Sequence, residues 1–274
     1  MIHPTAVIDP RAELGAGVSV APYAVIGSDV QIGDETEVGA HVVLEGRLVI
    51  GARCRVGHGA VLGGAPQDFK YREGIPVGVR IGHDTVIREH VIIHRATREG
   101  QDTRVGDHCF LMASSHVAHD CVLGDHVIII NYAGLTGHVV VGDHAIVGGL
   151  CGIRPFARIG AYAYIGGCSK VVQDVPPFVM ADGAPATARA VNLVGMRRGG
   201  IDAAARRAVQ SAFRLLYRSG LAPASAVGRI RGELGEHPLV GQLIAFIEAS
   251  KLGIVARAKR RAAVASAEIE ESRE

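Results

Sequence analysis

Thirteen histidines in 274 residues are many, and several fall at spacings that bear on chemistry. The segment SHVAHDC (115–121) carries His116, His119 and Asp120, and TGH (136–138) carries Gly137 and His138. Gly137 stands as far beyond His119 as His138 stands beyond Asp120, eighteen positions in each case. If the chain returns to the same place at that interval, one corner collects an imidazole, a carboxylate to orient it, a second imidazole, and a glycine with an accessible backbone N–H. An imidazole with an ordinary pKa of about 6.5 accepts a proton at neutral pH, and an open N–H stabilises a developing oxyanion. Together they suit proton abstraction from a hydroxyl or amine that attacks a carbonyl. The spacing alone is equally compatible with histidines that merely face water. His108, His126 and His144 form another column at this pitch. With no carboxylate or thiolate to complete a tetrahedral set there, a solvated G-D-H corner outweighs a metal site.

The pitch comes from a repeat. Stepping by six from Ile2 to Leu62, every position is Ile, Leu or Val. The register returns at Ile81, Ile87 and Ile93, and again from Val105 to Val171. The second position is often Gly, which suits a corner with positive φ, and the fifth is small. Strand, corner, strand, with three such six-residue sides to each coil, predicts a parallel β-helix. Breaks at residues 64–80 and 95–104 are candidate site loops. The repeat ends near Pro176-Pro177, giving a solenoid over 1–180 and a helical domain over 181–274. Apolar stripes at Val209, Phe213, Leu216 and Tyr217, at Val227, Ile230 and Leu234, and at Val240, Leu243, Ile244 and Ile247 predict three helices. From Ala256 onward no clear stripe remains, which predicts a frayed or solvated helix.

A net charge of +2 argues against a nucleic-acid partner or an anionic membrane surface. Trp is absent and Phe plus Tyr number 12, so the core is aliphatic. The start MIHPTAVIDP lacks a basic and then apolar leader, and no stretch approaches a membrane span, so a cytoplasmic protein is expected. The five cysteines, Cys54, Cys109, Cys121, Cys151 and Cys168, form no C-x-x-C pair and read as reduced structural thiols. Cys121 falls at an inward position where a thiolate is desolvated, and there is no G-x-S-x-G elbow.

The stretches PQDFKY (66–71), HVAHDC (116–121), GGCSKVVQDVPPFV (166–179), VNLVGMRR (191–198) and LLYRSG (215–220) resemble the bacterial UDP-N-acetylglucosamine O-acyltransferase family over nearly the whole length. The resemblance implies a left-handed parallel β-helix, a homotrimer, an active site between neighbouring subunits, and no metal or cofactor. It implies transfer of a 3-hydroxyacyl group from acyl carrier protein to the 3-hydroxyl of UDP-N-acetylglucosamine, the first step of lipid A biosynthesis. By the same match His119 is the general base, Asp120 its orienting partner and Gly137 the oxyanion donor. His116 and His138 line the sugar site. Gln67, Asp68 and Lys70 reach the sugar or its phosphates, and Asn192 and Arg198 reach the nucleotide. Gly167 lies where bulk sets acyl-chain length, with Tyr164 nearby. Arg207, Arg214 and Arg218 share one helix face that an acidic carrier could meet, or that simply faces water.

Two departures bear on the acceptor. Arg154-Pro155 stands where the family places His-Gln, and the basic run before the helices is shortened to Arg197-Arg198-Gly199. The nearest alternative is therefore a related acyltransferase on another nucleotide or amino sugar. A second is a trimeric γ-class carbonic anhydrase with histidine-bound zinc, against which the helical cap and the QDFKY loop argue. A non-catalytic scaffold would leave His119 free to vary.

Overall fold

The computed structural model describes residues 1–258; most of the segment expected to fray lies outside the described residues. The strands form three sheets of nine, eight and ten strands. The first runs from Val7–Ile8 to Lys170–Val171, the second from Glu13–Leu14 to Arg158–Ile159, and the third from Ser19–Val20 to the hairpin Val179–Gly183 and Ala186–Val191. Consecutive strands enter successive sheets, and every third returns one coil on, in parallel register: Val7 faces Val25, and Val25 faces Val43. The result is a left-handed parallel β-helix of triangular section with a helical C-terminal unit.

Most strands are two residues long, too short to persist alone, so stacking carries the fold. The first residue of every six points inward, and from Val20 onward each of them is buried. Each such aliphatic side chain contributes roughly 1.5–3 kcal/mol by leaving water. The small fifth position is explained by the same crowding. Cys54, Cys109 and Cys151 fill it and donate Sγ–H to the carbonyls of Gly82, Gly124 and Gly166 at 3.0, 3.1 and 3.0 Å.

The corners correct one expectation. Among the second-position glycines positive φ appears at Gly63, where the first break leaves the coil (φ 85°); at the regular corners it falls at the fourth position of the unit, borne by residues such as Tyr23, His108, Asp120 and Phe156 (φ 59°, 53°, 59° and 67°). Each costs about 1–2 kcal/mol relative to relaxed backbone and is held by the stacked coils. The second-position glycine serves close approach instead: a Cβ on Gly33 would lie 2.6 Å from the Ala52 nitrogen of the next coil.

Both breaks leave the first sheet and return to the second. One departs after Val61–Gly64 and rejoins at Gly78–Ile81; the other departs after Ile92–His94 and rejoins at Asp102–Val105. They therefore sit on the edge that carries His119 and His138 in the following coils. The returning strands are tied together by Asp102, whose buried carboxylate accepts from Arg47 and, at 2.7 Å, from Arg80.

Four helices follow, one more than expected: α1 (Leu193–Arg198), α2 (Ala203–Arg218), α3 (Pro223–Leu234) and α4 (Pro238–Glu248). At six residues α1 is too short to show a stripe. Asp202 caps α2 by accepting from the Ala205 N–H at 2.9 Å, and proline opens α3 and α4. Val209, Phe213, Leu216, Tyr217, Val227, Ile230, Val240, Leu243 and Ile244 are buried, while Leu234 and Ile247 pack partly buried against them.

Candidate active site

The corner after strand His116–Val117 places His119 and Asp120 directly beneath Gly137 and His138. His119 Nδ1 lies 2.8 Å from Asp120 Oδ2, and His138 Nε2 lies 3.6 Å from the same oxygen. The rings of His119 and His138 meet edge to face at 5.1 Å. Gly137 has φ 108°, and a Cβ there would lie 2.9 Å from His119 Cε1 and 3.0 Å from Nε2. A side chain would occupy the space of the imidazole, so the glycine is required by that ring. Beyond His138, Phe156 stacks on it at 4.4 Å, nearly parallel.

Asp120 is the best-held group of the corner. Its Oδ1 accepts from the Thr97 N–H at 3.0 Å, its Oδ2 accepts from Thr97 Oγ1 at 2.7 Å, and its own N–H donates to Thr103 Oγ1 at 2.9 Å. Burial alone would raise its pKa, but the hydrogen bonds from Thr97 and His119 outweigh burial and hold it below the usual carboxylate range. An ionised Asp120 facing Nδ1 selects the tautomer with a proton there and leaves Nε2 bare as the acceptor. Burial lowers the pKa of His138, partly opposed by Asp120.

Thr97, Thr103 and His94 were not singled out from the sequence. His94 Nδ1 lies 3.0 Å from His116 Nε2, and burial, with the nearby His116 and His119, pushes the His94 pKa down to about 4. His116 is lowered as well, first by burial and then by His119. The regular three-unit count hid this pair because the second break adds a further unit's length, and in the first sheet Ile92 pairs with His116. Cys121 is fully buried with its thiol pushed up to about 11, no nucleophile at neutral pH.

A cleft of about 550 Å³ opens over this corner, lined by Gln67, Asp68, Lys70, Thr97, His119 and His138 among others. The first loop thus reaches the histidines, with the Lys70 N–H held by Asp68 Oδ1 at 2.9 Å. Pro155 and Phe156, from the departing Arg154-Pro155 segment, also line it, while Arg154 turns to the Val172 carbonyl at 3.3 Å. His116 is not among its lining residues.

Asn192 and Arg198 are not brought to this cleft. They line a second cavity of about 640 Å³ on the third sheet, with His126, His144, Tyr162 and Tyr164. Asn192 is buried; its Oδ1 caps α1 by accepting from the Gly195 N–H at 2.9 Å, and its Nδ2 donates to the Tyr162 carbonyl at 2.9 Å. Within one chain its amide therefore seats α1 and so places Arg198. Because the His119 corner joins the first and second sheets, and the second cavity lies on the third, the two occupy opposite sides of the prism. Gly167 is exposed beyond both, with its nearest foreign atom, the Gly149 carbonyl oxygen, 3.4 Å from a built Cβ.

His108, His126 and His144 stack at 4.9 and 4.6 Å and continue onto Tyr162 at 4.5 Å, an aromatic ladder along one edge. Among the described residues, His119, Asp120 and His138 are the trio whose nitrogen and oxygen atoms come within 4.8 Å of one another, as a metal ion would need. The 2.8 Å between His119 Nδ1 and Asp120 Oδ2 is a hydrogen-bond length. It is shorter than the roughly 3.3 Å that two ligands about 2.0 Å from a tetrahedral zinc would keep. The trio fits a proton relay better than a zinc set.

Fold and corner together define a hexapeptide-repeat transferase with an imidazole–carboxylate pair beside an open amide. The model for "Bacterial transferase hexapeptide (six repeats)" matches residues 29–64 and 102–137, and that for "Udp N-acetylglucosamine O-acyltransferase; Domain 2" matches 174–255. The acyl-(acyl-carrier-protein)--UDP-N-acetylglucosamine O-acyltransferase of Paraburkholderia phymatum is 45% identical over 260 residues, 93% of this chain and 98% of that protein. The solved LpxA from Acinetobacter baumannii superposes with a TM-score of 0.88 at 41% identity, covering 93% of this chain and 99% of that one. The UDP-N-acetylglucosamine acyltransferase from Campylobacter jejuni gives 0.89 at 36%, covering 94% and 100%. The chain belongs to the UDP-N-acetylglucosamine O-acyltransferase family.

Proposed function

We propose that the protein transfers a 3-hydroxyacyl group from acyl carrier protein to the 3-hydroxyl of UDP-N-acetylglucosamine, the step that opens lipid A biosynthesis, in the cytoplasm. The observation that carries this reading is the His119–Asp120–Gly137 corner inside the loop-lined cleft, in a chain whose relatives bear that enzyme name. Among the described residues no helix is long and apolar enough to cross a membrane.

In this mechanism His119 Nε2 takes the proton of the sugar hydroxyl as its oxygen attacks the thioester carbonyl. The new C–O bond places the carbonyl electron pair on oxygen, where the Gly137 N–H receives it. Collapse breaks the C–S bond, and the imidazolium returns its proton to the leaving sulfur. Asp120 holds the ring and stabilises its charged form. His138 and the loop residues Gln67, Asp68 and Lys70 bind the sugar diphosphate. His116 supports the sugar side from outside the cleft lining, and Gly167 leaves room for the acyl chain.

A homotrimer would bring a neighbour's third sheet, with Arg198 and the α1 that Asn192 seats, against this cleft. Outward apolar residues such as Val7, Val25, Ile92, Val122 and Val140, all exposed in the single chain, support burial between copies. The exposed arginines of α2, with Arg218 over the Phe213 ring at 5.7 Å, suit an acidic carrier. The test is acyl transfer by the purified protein from carrier-bound 3-hydroxyacyl chains to UDP-N-acetylglucosamine. His119→Ala should lower kcat by about 10²–10⁴ while oligomer mass is unchanged. Turnover equal to wild type would refute the role of His119, and preference for an amino-sugar acceptor would move the substrate.

A further inference from the structure

The first loop carries Gln67, Asp68 and Lys70 to the cleft, yet over residues 65–74 it is scarcely attached to the body that supports it. Its hydrogen bonds are made within itself: the Lys70 N–H donates to Asp68 Oδ1 at 2.9 Å, the Tyr71 N–H to the Asp68 carbonyl at 3.0 Å, and Arg72 to the Tyr71 carbonyl at 3.1 Å. Among the described residues, the one hydrogen bond or ion pair that ties this stretch to another part of the chain runs from Arg95 Nη2 to Glu73 Oε1, at 3.3 Å. The same guanidinium stands 6.0 Å from the centre of the Tyr71 ring. Arg95 directly follows strand Ile92–His94, and its side chain is 15% exposed against 75% for Glu73, so the tether is fixed at the arginine end and open at the other. What fixes it lies two coils earlier: a Cβ on Gly46 would lie 2.5 Å from Arg95 Nη1 and 2.6 Å from Cδ. Gly46 has φ 64°, within the 53° to 68° that non-glycine residues bear elsewhere in this chain, so the arginine and not the backbone requires a glycine there.

We propose that Arg95 is a positioning residue for the acceptor: seated against Gly46, it holds Tyr71 and Glu73 and thereby sets Asp68 and Lys70 where the sugar diphosphate binds. The proposal rests on the role given to that loop above. A loop without this tether keeps its binding groups but is ordered for binding only part of the time, so the loss falls on acceptor affinity and not on the His119 corner.

Arg95→Met keeps the stem and removes the charge, and Arg95→Lys restores a charge. Glu73→Gln alters only the exposed end, and Gly46→Ala moves the arginine without touching the loop. Hydrogen exchange of the loop amides, read by mass spectrometry on the full chain, needs no turnover. In Arg95→Met the expected result is loop exchange about fivefold faster, a UDP-N-acetylglucosamine KM up about tenfold, and kcat and acyl-donor KM within about twofold of wild type. Arg95→Lys should recover most of the KM. Glu73→Gln and Gly46→Ala should shift exchange and KM the same way by about threefold, and they decide the matter if Arg95→Met fails to fold. Wild-type exchange and KM in Glu73→Gln and Gly46→Ala overturn the proposal, as does an equal loss of kcat or donor affinity in Arg95→Met, the mark of a general disturbance at the neighbouring His94. Faster loop exchange with an unchanged sugar KM shows that Arg95 holds the loop but that the loop does not place the acceptor, which overturns the proposal. A wild type that acylates no UDP-N-acetylglucosamine refutes the function itself, and the acceptor role of Arg95 with it.

Discussion

Gly137→Ala tests the corner with a single added carbon. Its Cβ would lie 2.9 Å from His119 Cε1 and 3.0 Å from Nε2, whereas carbon atoms rest about 3.5–4.0 Å apart. The imidazole must withdraw by roughly 0.5–1 Å to restore that spacing. Its Nδ1 is tethered to Asp120 Oδ2 at 2.8 Å, and a stretch of that size ends the hydrogen bond. Alanine at φ 108° adds about 1–3 kcal/mol of backbone strain, relieved only by moving the same corner. The amide N–H is retained, so lost turnover reports the ring and not the oxyanion donor. Displacing a reacting group by about 1 Å costs on the order of 10²-fold, and steady-state transfer assays should find kcat lower by about that factor. Far-ultraviolet circular dichroism and oligomer mass should stay as in wild type. A folded Gly137→Ala protein with kcat within about threefold of wild type would show that contact between this glycine and His119 does not set the position of the base.

Thr97→Val removes the 2.7 Å hydrogen bond to Asp120 Oδ2 but keeps the backbone one. Such bonds to a charged group are worth about 1.5–3 kcal/mol; kcat should fall about tenfold, the acid limb of the pH–rate profile should move upward, and Thr97→Ser should restore both. A second expectation concerns acid. With the folded-state pKa of His94 lowered to about 4 and an unfolded value of about 6.5, the unfolded chain binds more protons between these limits. Stability is therefore intact above about pH 6.5 and falls as pH drops toward 4, by about 3 kcal/mol from this ring. The lowered His116 and His138 act in the same direction, and Asp120 adds a loss only below the ordinary carboxylate range. Denaturant midpoints measured from pH 7 to 4 should fall, and His94→Asn should flatten the slope; a flat wild-type profile would contradict the burial argument.

The solenoid was legible because its rule is one-dimensional: an inward aliphatic every six residues, with equivalent residues stacked three units later. That rule also delivered His119 under Gly137 and Asp120 under His138, since no insertion separates those coils. It failed wherever the chain leaves the register. His94 and His116 lie on neighbouring strands but farther apart in sequence than one regular coil, and Thr97 sits within the break itself, where periodicity says nothing about direction. The glycine reading failed for a different reason. Spacing cannot tell a residue that needs positive φ from one that must admit a neighbouring backbone, and here Gly33 does the second while Asp120 and His138 do the first. The six-residue α1 was invisible because a stripe needs at least two turns.

The two loop insertions and the histidines share one edge for a physical reason. A strand of two residues cannot absorb an insertion without shifting its ladder and turning inward aliphatics outward. A corner can, because lengthening a loop costs only about 0.6 kcal/mol per doubling. The edge that accepts the long loops can therefore acquire walls around a cleft, and Gln67, Asp68, Lys70 and Thr97 all arrive by that route. The face opposite has no such freedom, since its strands hold the third sheet and the start of the helical unit, yet it presents Arg198. A substrate that needs both sides of this prism must find the second on another copy. If copies associate as proposed, charge reversal at Arg198 should raise the KM for the nucleotide sugar before it disturbs the His119 corner, whose hydrogen bonds are made within one chain.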